Sequence, residues 1–348
     1  MRRTLFIIAS IVVSAVFLYL ALRNVPISDI LTRLKEANIF WIGVAFVLHA
    51  LGQWTRAVRW SGLLDFKLPS MRAFHIINIG FLLNQLPLRA GEFARMVLAT
   101  RSKVPLMTAA TSVVLERMMD TLLVVILLVV TVSRLPSAPP EVTTTVKIFG
   151  IAVVVAFAVL VLFARFPALG HRVVGIVEGI LPFLKRFNLT RLLDHVLDGL
   201  KPLTHWRSAL HAIVWSLIAW AISTATVYAL ILSLGINNII LVPGNNGVDT
   251  LSLSILGLCL AALSIAIPVS VASIGIFESA VQIAGRAVGL SGTPALDATA
   301  LSLGFLFHGV NIFGYAIWGV IGLLVTGISL GDVMNAQKPD SEIAEPTL

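Results

Sequence analysis

A single cysteine in 348 residues, Cys259, sits inside an apolar run. It leaves no partner for an internal disulfide and no thiolates for a metal cluster, so it reads as packing. Charge is also scarce: 12% of residues are charged against 58% hydrophobic, and the mean hydropathy is +0.97. That balance excludes an ordinary soluble domain. The chain has no G-x-x-x-x-G-K-[ST] run and hence no P-loop with which to use ATP. It also lacks H-E-x-x-H and G-x-S-x-G, the usual signatures of a metal-dependent or serine hydrolase. No metal, no cofactor and no enzymatic activity are expected. A net charge of +8 would suggest nucleic acid in a soluble protein. Here the basic residues fall where loops meet an anionic cytoplasmic leaflet, so no nucleic-acid partner is expected.

What the chain has instead is long apolar stretches. Thr4 to Leu22, Val146 to Phe166 and Ser208 to Leu234 each exceed the roughly 18 residues that separate spanning helices from core helices. The sequence therefore predicts an all-α polytopic membrane protein with about six to eight transmembrane helices. Residues 1–331 form one membrane domain, with a first half over 1–166, a connector over 167–207, a second half over 208–331 and a short cytoplasmic-type tail over 332–348. Arg2 and Arg3 ahead of Thr4 to Leu22 also suit a signal peptide, but no small-x-small cleavage site follows, which favours a first span with a cytoplasmic N-terminus. The span Ile39 to Trp60 ends in Arg56 and Arg59, with Lys67 and Arg72 soon after, so that end is placed inside. The connector is net positive and carries apolar residues such as Val173, Val174, Ile176 and Val177. It reads as amphipathic helices on the membrane surface, or else as a solvated link. Met107 to Val132 reads as a long helix and Ser133 to Thr145 as an outer loop. Ala295 to Ser329 is about 50 Å long if helical, too long for a roughly 30 Å core unless tilted or broken, with Gly309 and Gly314 as candidate breaks.

Two interruptions stand out. Asn84 to Arg95 places Pro87, Arg89, Gly91, Glu92 and Arg95 after the short apolar segment Met71 to Leu86. Pro268 to Glu278 interrupts Thr250 to Ile267, with a return through Val281 to Val288. Both read as re-entrant arms. Pro87, Glu92 and Pro105 recur as Pro268, Glu278 and Pro294 at nearly constant offset. This spacing suggests an inverted-topology repeat whose arms meet near the midplane, although apolar segments also resemble one another by chance.

Ionisable groups at bilayer depth mark a site by default. In the first half Arg89, Arg95 and Arg117 balance Glu92, Glu116 and Asp120. Glu116 and Asp120 share a helical face and need a cation from elsewhere, while Arg117 points about 100° away. Arg89 or Arg95 is the obvious candidate. The cluster then either closes as a network that holds the arm, or lends an arginine to an anionic headgroup with Gly91 allowing close approach. In the second half Ser270, Ser273 and Gly275 precede Glu278, and helix ends there suit an anion. His308 and Asn311 share a face and can reach Glu278 or a headgroup, although a membrane histidine is commonly a helix-to-helix hydrogen bond. Arg286 is expected to snorkel to the surface.

Leu86-Pro87-Leu88-Arg89-Ala90-Gly91-Glu92-Phe93-Ala94-Arg95, followed by Ser112-Val113-Val114-Leu115-Glu116-Arg117-Met118-Met119-Asp120, resembles a known pair of signatures. They are the P-x-R-x-G-E-x-x-R and S-V-x-x-E-R-x-x-D runs of the lysylphosphatidylglycerol synthase transmembrane-region family. The segment Pro268 to Glu278 is similar to that family's later element but has Pro268-Val269-Ser270-Val271 where members often show P-G-G-x-G. The resemblance implies a lipid flippase of the cytoplasmic membrane, acting on a phospholipid, a hopanoid or a polyprenyl-linked lipid. Apolar walls would hold the chains, and one repeat would rock against the other. It implies no lysylphosphatidylglycerol synthesis, because little chain follows the last apolar stretch. The alternative is a non-catalytic scaffold for lipid- or envelope-synthesis enzymes.

Overall fold

In the computed structural model, residues 2–23, 25–86, 91–135, 140–180, 189–239, 248–266 and 270–328 are described, and every regular element among them is helical. Numbering helices in chain order, the long ones are α1 (Arg2–Leu22), α3 (Ile39–Leu63), α6 (Leu106–Val132), α7 (Pro140–Arg165), α10 (Trp206–Ser233) and α13 (Pro294–Thr326). They run from 21 to 33 residues, or about 30 to 50 Å at about 1.5 Å per residue, enough to cross a roughly 30 Å core. Thr143–Arg165 of α7, together with α10 and α13, is both long and apolar enough to cross a membrane. Around α7 the side chains of Ile148, Phe149, Ile151, Val155 and Leu162 all lie exposed. A helix that is apolar all round and uncovered belongs in lipid, and the chain is a multi-pass membrane protein.

Four of the helices too short to cross flank the two interruptions. These are α4 (Ser70–Asn84), α5 (Gly91–Thr100), α11 (Thr250–Ala266) and α12 (Ile276–Ala287), about 15 to 25 Å each. They come in two pairs, α4 packed on α5 and α11 on α12. In the first pair Gly80 and Gly91 let the two backbones touch, since a Cβ on Gly80 would lie 2.9 Å from the Gly91 carbonyl oxygen. The remaining helices are α2 (Ile27–Lys35), bent 85° from α1, and α8 (Pro167–Ile180) and α9 (Leu189–Leu200), which fill the connector.

Contacts between the halves are reciprocal. Helix α3 pairs with α10; α4 packs on α13 as α11 packs on α6; α5 packs on α6 as α12 packs on α13; and α3 packs on α4 as α10 packs on α11. Exchanging α3–α6 with α10–α13 maps the α3–α10 pairing onto itself and each of the others onto its counterpart, while the contact of α3 with α13 has no counterpart of similar size between α10 and α6. The repeat suspected from Pro87, Glu92 and Pro105 is therefore matched by packing.

Several boundaries differ from the sequence reading. Helix α13 is one continuous helix with no break at Gly309 or Gly314. Thr293 caps its start, accepting from Leu296 N–H at 3.3 Å, Pro294 follows in the first turn, and Gly327 ends it at φ 65°. Glycine costs only about 1 kcal/mol in a helix, and packing overrides that: Gly314, Gly319 and Gly322 face His49, Leu82 and Ile79, leaving no room for larger residues. Helix α7 begins at Pro140, inside the expected outer loop, and α12 begins at Ile276 instead of Val281. Helices α2 and α5 were not anticipated. Pro87, Arg89, Pro268 and the tail from residue 329 lie outside the described residues.

Candidate functional site

Helix α3 reads as a plain span, yet His49, Gln53 and Arg56 fall on one face of it at helical spacing, and Arg59 follows one turn on. The sequence reading put Arg56 and Arg59 at a cytoplasmic end. In the structure Arg59 is fully buried at 0% exposure, because α3 packs along α10 and turns that face onto α6. Its Nη1 donates to Asp120 Oδ1 at 2.7 Å and to Ser216 Oγ at 3.0 Å. Its Nη2 donates to Glu116 Oε1 at 2.8 Å and to Asp120 Oδ2 at 3.2 Å. Arg59 is thus the cation that Glu116 and Asp120 require, and the sequence reading missed it. The available signal was an arginine one turn beyond a polar stripe in an otherwise apolar helix.

Arg95 completes the cluster from α5. Its guanidinium bonds Glu116 Oε2 and lies over the Trp60 ring at 4.4 Å, while Trp60 Nε1 donates to Ser112 Oγ at 2.9 Å. Buried between the Glu116 carboxylate and the Trp60 ring, Arg95 takes the first of the two roles the sequence left open, closing the network that holds the arm, and is not presented to a ligand. Trp220 Nε1 donates to Asp120 at 3.2 Å, tying α10 to the same carboxylate. Gly91 meets Gly80 instead of a headgroup, and its N–H donates to Asn84 Oδ1 at 2.9 Å. Arg89 lies outside the described residues.

Arg117 points away from Glu116, as the helical angle requires, and pairs with Glu92 at 3.0 Å with both side chains a little over 40% exposed. This pair opens on a cavity of about 480 Å³. The first half contributes Phe81, Asn84, Gln85, Glu92, Arg117 and Thr121 to its wall. The second contributes Ala262, Ile265, Ala272, Ser273, Phe277, His308, Asn311 and Tyr315. Residues flanking both breaks therefore face one space. A smaller cavity of about 100 Å³ adjoins it, sharing Asn311, Tyr315 and Phe277 and reaching His49, Gln53 and Arg56. Arg56 donates to Ser223 Oγ at 3.1 Å and has no carboxylate partner among the described residues.

On the second arm Ala272 and Ser273 both take positive φ, 49° and 62°, a left-handed turn that costs non-glycine residues roughly 1 kcal/mol or more each. It aims the Ala272 carbonyl at His308 Nε2, 2.9 Å away. The other ring nitrogen, Nδ1, lies 2.7 Å from Glu278 Oε1, and Glu278 Oε2 accepts the Gly275 N–H at 2.7 Å at the start of α12. His308 does reach Glu278, while Asn311 sits further along the cavity wall. Ser270 is buried with its hydroxyl unpartnered and does not line the cavity. Gly275, at φ 84°, packs against the backbone of α1 at Ser14 and Leu18 and likewise does not line it. Arg286 is half exposed, as expected of an arginine that snorkels to the surface, and pairs there with Asp297 at 3.0 Å.

Of the residues singled out from sequence, Glu92, Arg117, Ser273, His308 and Asn311 line the cavity. Arg95, Glu116, Asp120 and Glu278 stand behind it as supports. Gln85, Thr121, Tyr315, His49, Gln53 and Arg56 are the additions.

Neither the curated proteins nor the solved structures offer a match to this chain. Residues 7–319 match the family described as Lysylphosphatidylglycerol synthase TM region, a span that includes both arms, the charged cluster and all but the last turns of α13. The chain belongs to the lysylphosphatidylglycerol synthase transmembrane-region family.

Proposed function

We propose that this protein moves a lipid with an anionic headgroup, such as a phospholipid or a polyprenyl-linked lipid, across or out of the cytoplasmic membrane. The observation that carries the reading is the cavity of about 480 Å³, of mixed polar and apolar lining, walled by residues flanking both helix breaks. Transporters built from paired repeats bind substrate at such a junction. Charge supports an anion: Arg56, Arg59, Arg95 and Arg117 face only Glu92, Glu116 and Asp120 among the described residues, and Arg56 adjoins the cavity without a carboxylate. Arg117 is the guanidinium best placed to exchange Glu92 for a phosphate, since both side chains are part-exposed and the exchange needs no buried charge to be stranded.

For the chains, an apolar groove of about 470 Å³ between Ile42, Phe46, Leu306, Val310 and Phe313 suits an acyl or isoprenoid tail. Rocking of the two halves about the α3–α10 contact would open the cavity to one leaflet and then the other. The net-positive connector supports a cytoplasmic N-terminus in this reading.

One observation favours a second reading, that of a scaffold for lipid-synthesis enzymes: the cluster of Arg59, Arg95, Glu116 and Asp120 is closed and serves architecture equally well. Liposomes containing the purified protein and labelled phospholipid or polyprenyl-phosphate probes separate the two. Transport predicts flux in wild type that falls at least tenfold in Arg117→Gln and Arg56→Gln at equal folded amounts. Equal flux in both variants overturns the site. No flux with any probe, together with co-purification of synthesis enzymes, favours the scaffold.

A further inference from the structure

We propose that Glu278 and His308 form a proton-binding site on the cavity wall, and that the lipid movement proposed above is coupled to the proton it holds. The inference rests on that transport reading for the coupling, but the proton itself follows from hydrogen-bond chemistry. His308 Nε2 faces the Ala272 carbonyl at 2.9 Å. A carbonyl only accepts, so Nε2 carries a hydrogen. Nδ1 faces Glu278 Oε1 at 2.7 Å. Were the imidazole neutral with its one hydrogen on Nε2, and Glu278 ionised, two lone pairs would meet at that distance. One further proton must lie between Nδ1 and Oε1, whichever atom formally owns it. Glu278 carboxylate, Nε2-protonated His308 and one proton make the held pair, and release returns that proton to solvent in the cavity.

The surroundings are built for this. Gly304 brings α13 against Glu278, where a Cβ would lie 3.1 Å from the Glu278 Cα. Phe277 stacks on the His308 ring at 4.4 Å and 17°, which fixes the plane of the imidazole between the Ala272 carbonyl and Glu278. The pair is buried, Glu278 at 2% and His308 at 5%, yet His308 and Ala272 reach the cavity surface, which supplies the path. Other ionisable groups around it are few. From α5 and α6 the cavity carries Glu92 and Arg117, paired with each other; α13 adds Tyr315; and α3 places His49 and Arg56 in the adjoining space. From α1 and α11 come Ser14, Ala262 and Ile265, which do not titrate. Losing the proton turns the link between α12 and α13 from attraction to repulsion at the point where the second arm meets the cavity. That gives a chemical trigger for opening the cavity.

Glu278→Gln is the informative variant. Its carbonyl can still accept from Gly275 N–H and its amide can donate to Nδ1, so the shape persists while the extra proton is gone. Nitrogen-15 NMR of histidine-labelled protein, with the His308 signal identified from a His308→Gln sample, and the infrared carboxyl region are read at neutral pH. Wild type is expected to show either an imidazolium at position 308 or a protonated carboxyl that vanishes in Glu278→Gln. A neutral imidazole together with an ionised Glu278 overturns the site. In liposomes bearing a pH gradient, one proton per lipid shifts the end-point distribution of the probe by about tenfold per pH unit, and Glu278→Gln abolishes the response. Wild-type flux that ignores the gradient overturns the coupling and leaves lipid transport standing. Absence of wild-type flux with every probe counts against transport itself, and the spectroscopic proton count then decides the site alone.

Discussion

Arg59→Met is the sharpest test of where the charged cluster lies. Were Arg59 at a solvated helix end, its loss would remove an exposed ion pair worth about 0–1 kcal/mol. In the structure it is completely buried and makes four hydrogen bonds, three of them to Glu116 and Asp120. Methionine fills much the same volume but leaves Glu116 with Arg95 alone, and Asp120 with the Trp220 N–H and 20% of its side chain exposed. Breaking a buried pair by removing one partner costs about 3–5 kcal/mol. Cys259 supplies the assay, because the only thiol in the chain has 0% exposure and sits on α11, which packs on the helix carrying both carboxylates. Its labelling by a thiol reagent in native membranes reports opening of that core. At about 1.4 kcal/mol per factor of ten, the labelling rate should rise between roughly a hundred- and a few thousand-fold. The double variant Arg59→Met/Glu116→Met should recover part of the loss, since one stranded carboxylate is removed with its partner. A rise below about fivefold for Arg59→Met would refute the buried cluster.

Arg117→Gln should behave in the opposite way, with thermal stability within about 1 kcal/mol of wild type because its pair with Glu92 is part-exposed, while lipid flux drops. Gly91→Ala puts a methyl group into the Gly80 carbonyl and the Asn84 side chain, and overpacking of this kind should cost about 1–3 kcal/mol in a thermal unfolding series. Ala272→Gly relieves the left-handed turn at φ 49°, so it should be neutral or stabilising, against the roughly 0.5–1 kcal/mol that the same change costs inside a helix. A lower melting temperature for Ala272→Gly would contradict the turn.

The membrane class, the long helices and the two breaks were legible because each is a local property: apolar length, proline and glycine. Repeat spacing was legible for the same reason, and reciprocal packing of α4 on α13 and α11 on α6 agrees with it. Partner choice within the cluster was legible only in part: Arg95 was a named candidate and does pair with Glu116, whereas Arg59 was not. Glu116 and Asp120 announced that they needed a cation, but nothing local distinguishes an arginine at a membrane surface from one turned inward. Arg59 is turned inward by the α3–α10 contact, far apart in sequence. The same holds for Gly91, whose value as a close-approach residue was visible while the surface approached was not. It proved to be another helix. His308 and Glu278 were easier, since each lies in an apolar setting with few alternative partners.

The two halves match in packing but differ in how they are fastened. The first arm is riveted by Arg95 to Glu116, which Arg59 grips in turn, so lifting it strands buried charge at a cost of several kcal/mol. The second is held to α13 by the contact of Glu278 with His308 at the cavity and by the part-exposed pair of Arg286 with Asp297 at the far end of α12, and only the former depends on the proton proposed above. A machine with symmetric bearings and unequal fastenings has a frame and a door. If the protein transports as proposed, α4 and α5 would be the frame, and α11 and α12 the part of the second half that moves most as the halves rock. Hydrogen exchange should therefore find the backbone around Gly275 opening far more readily than that around Gly91, and a cross-link that immobilises α12 on α13 should stop turnover where one between α5 and α6 does not.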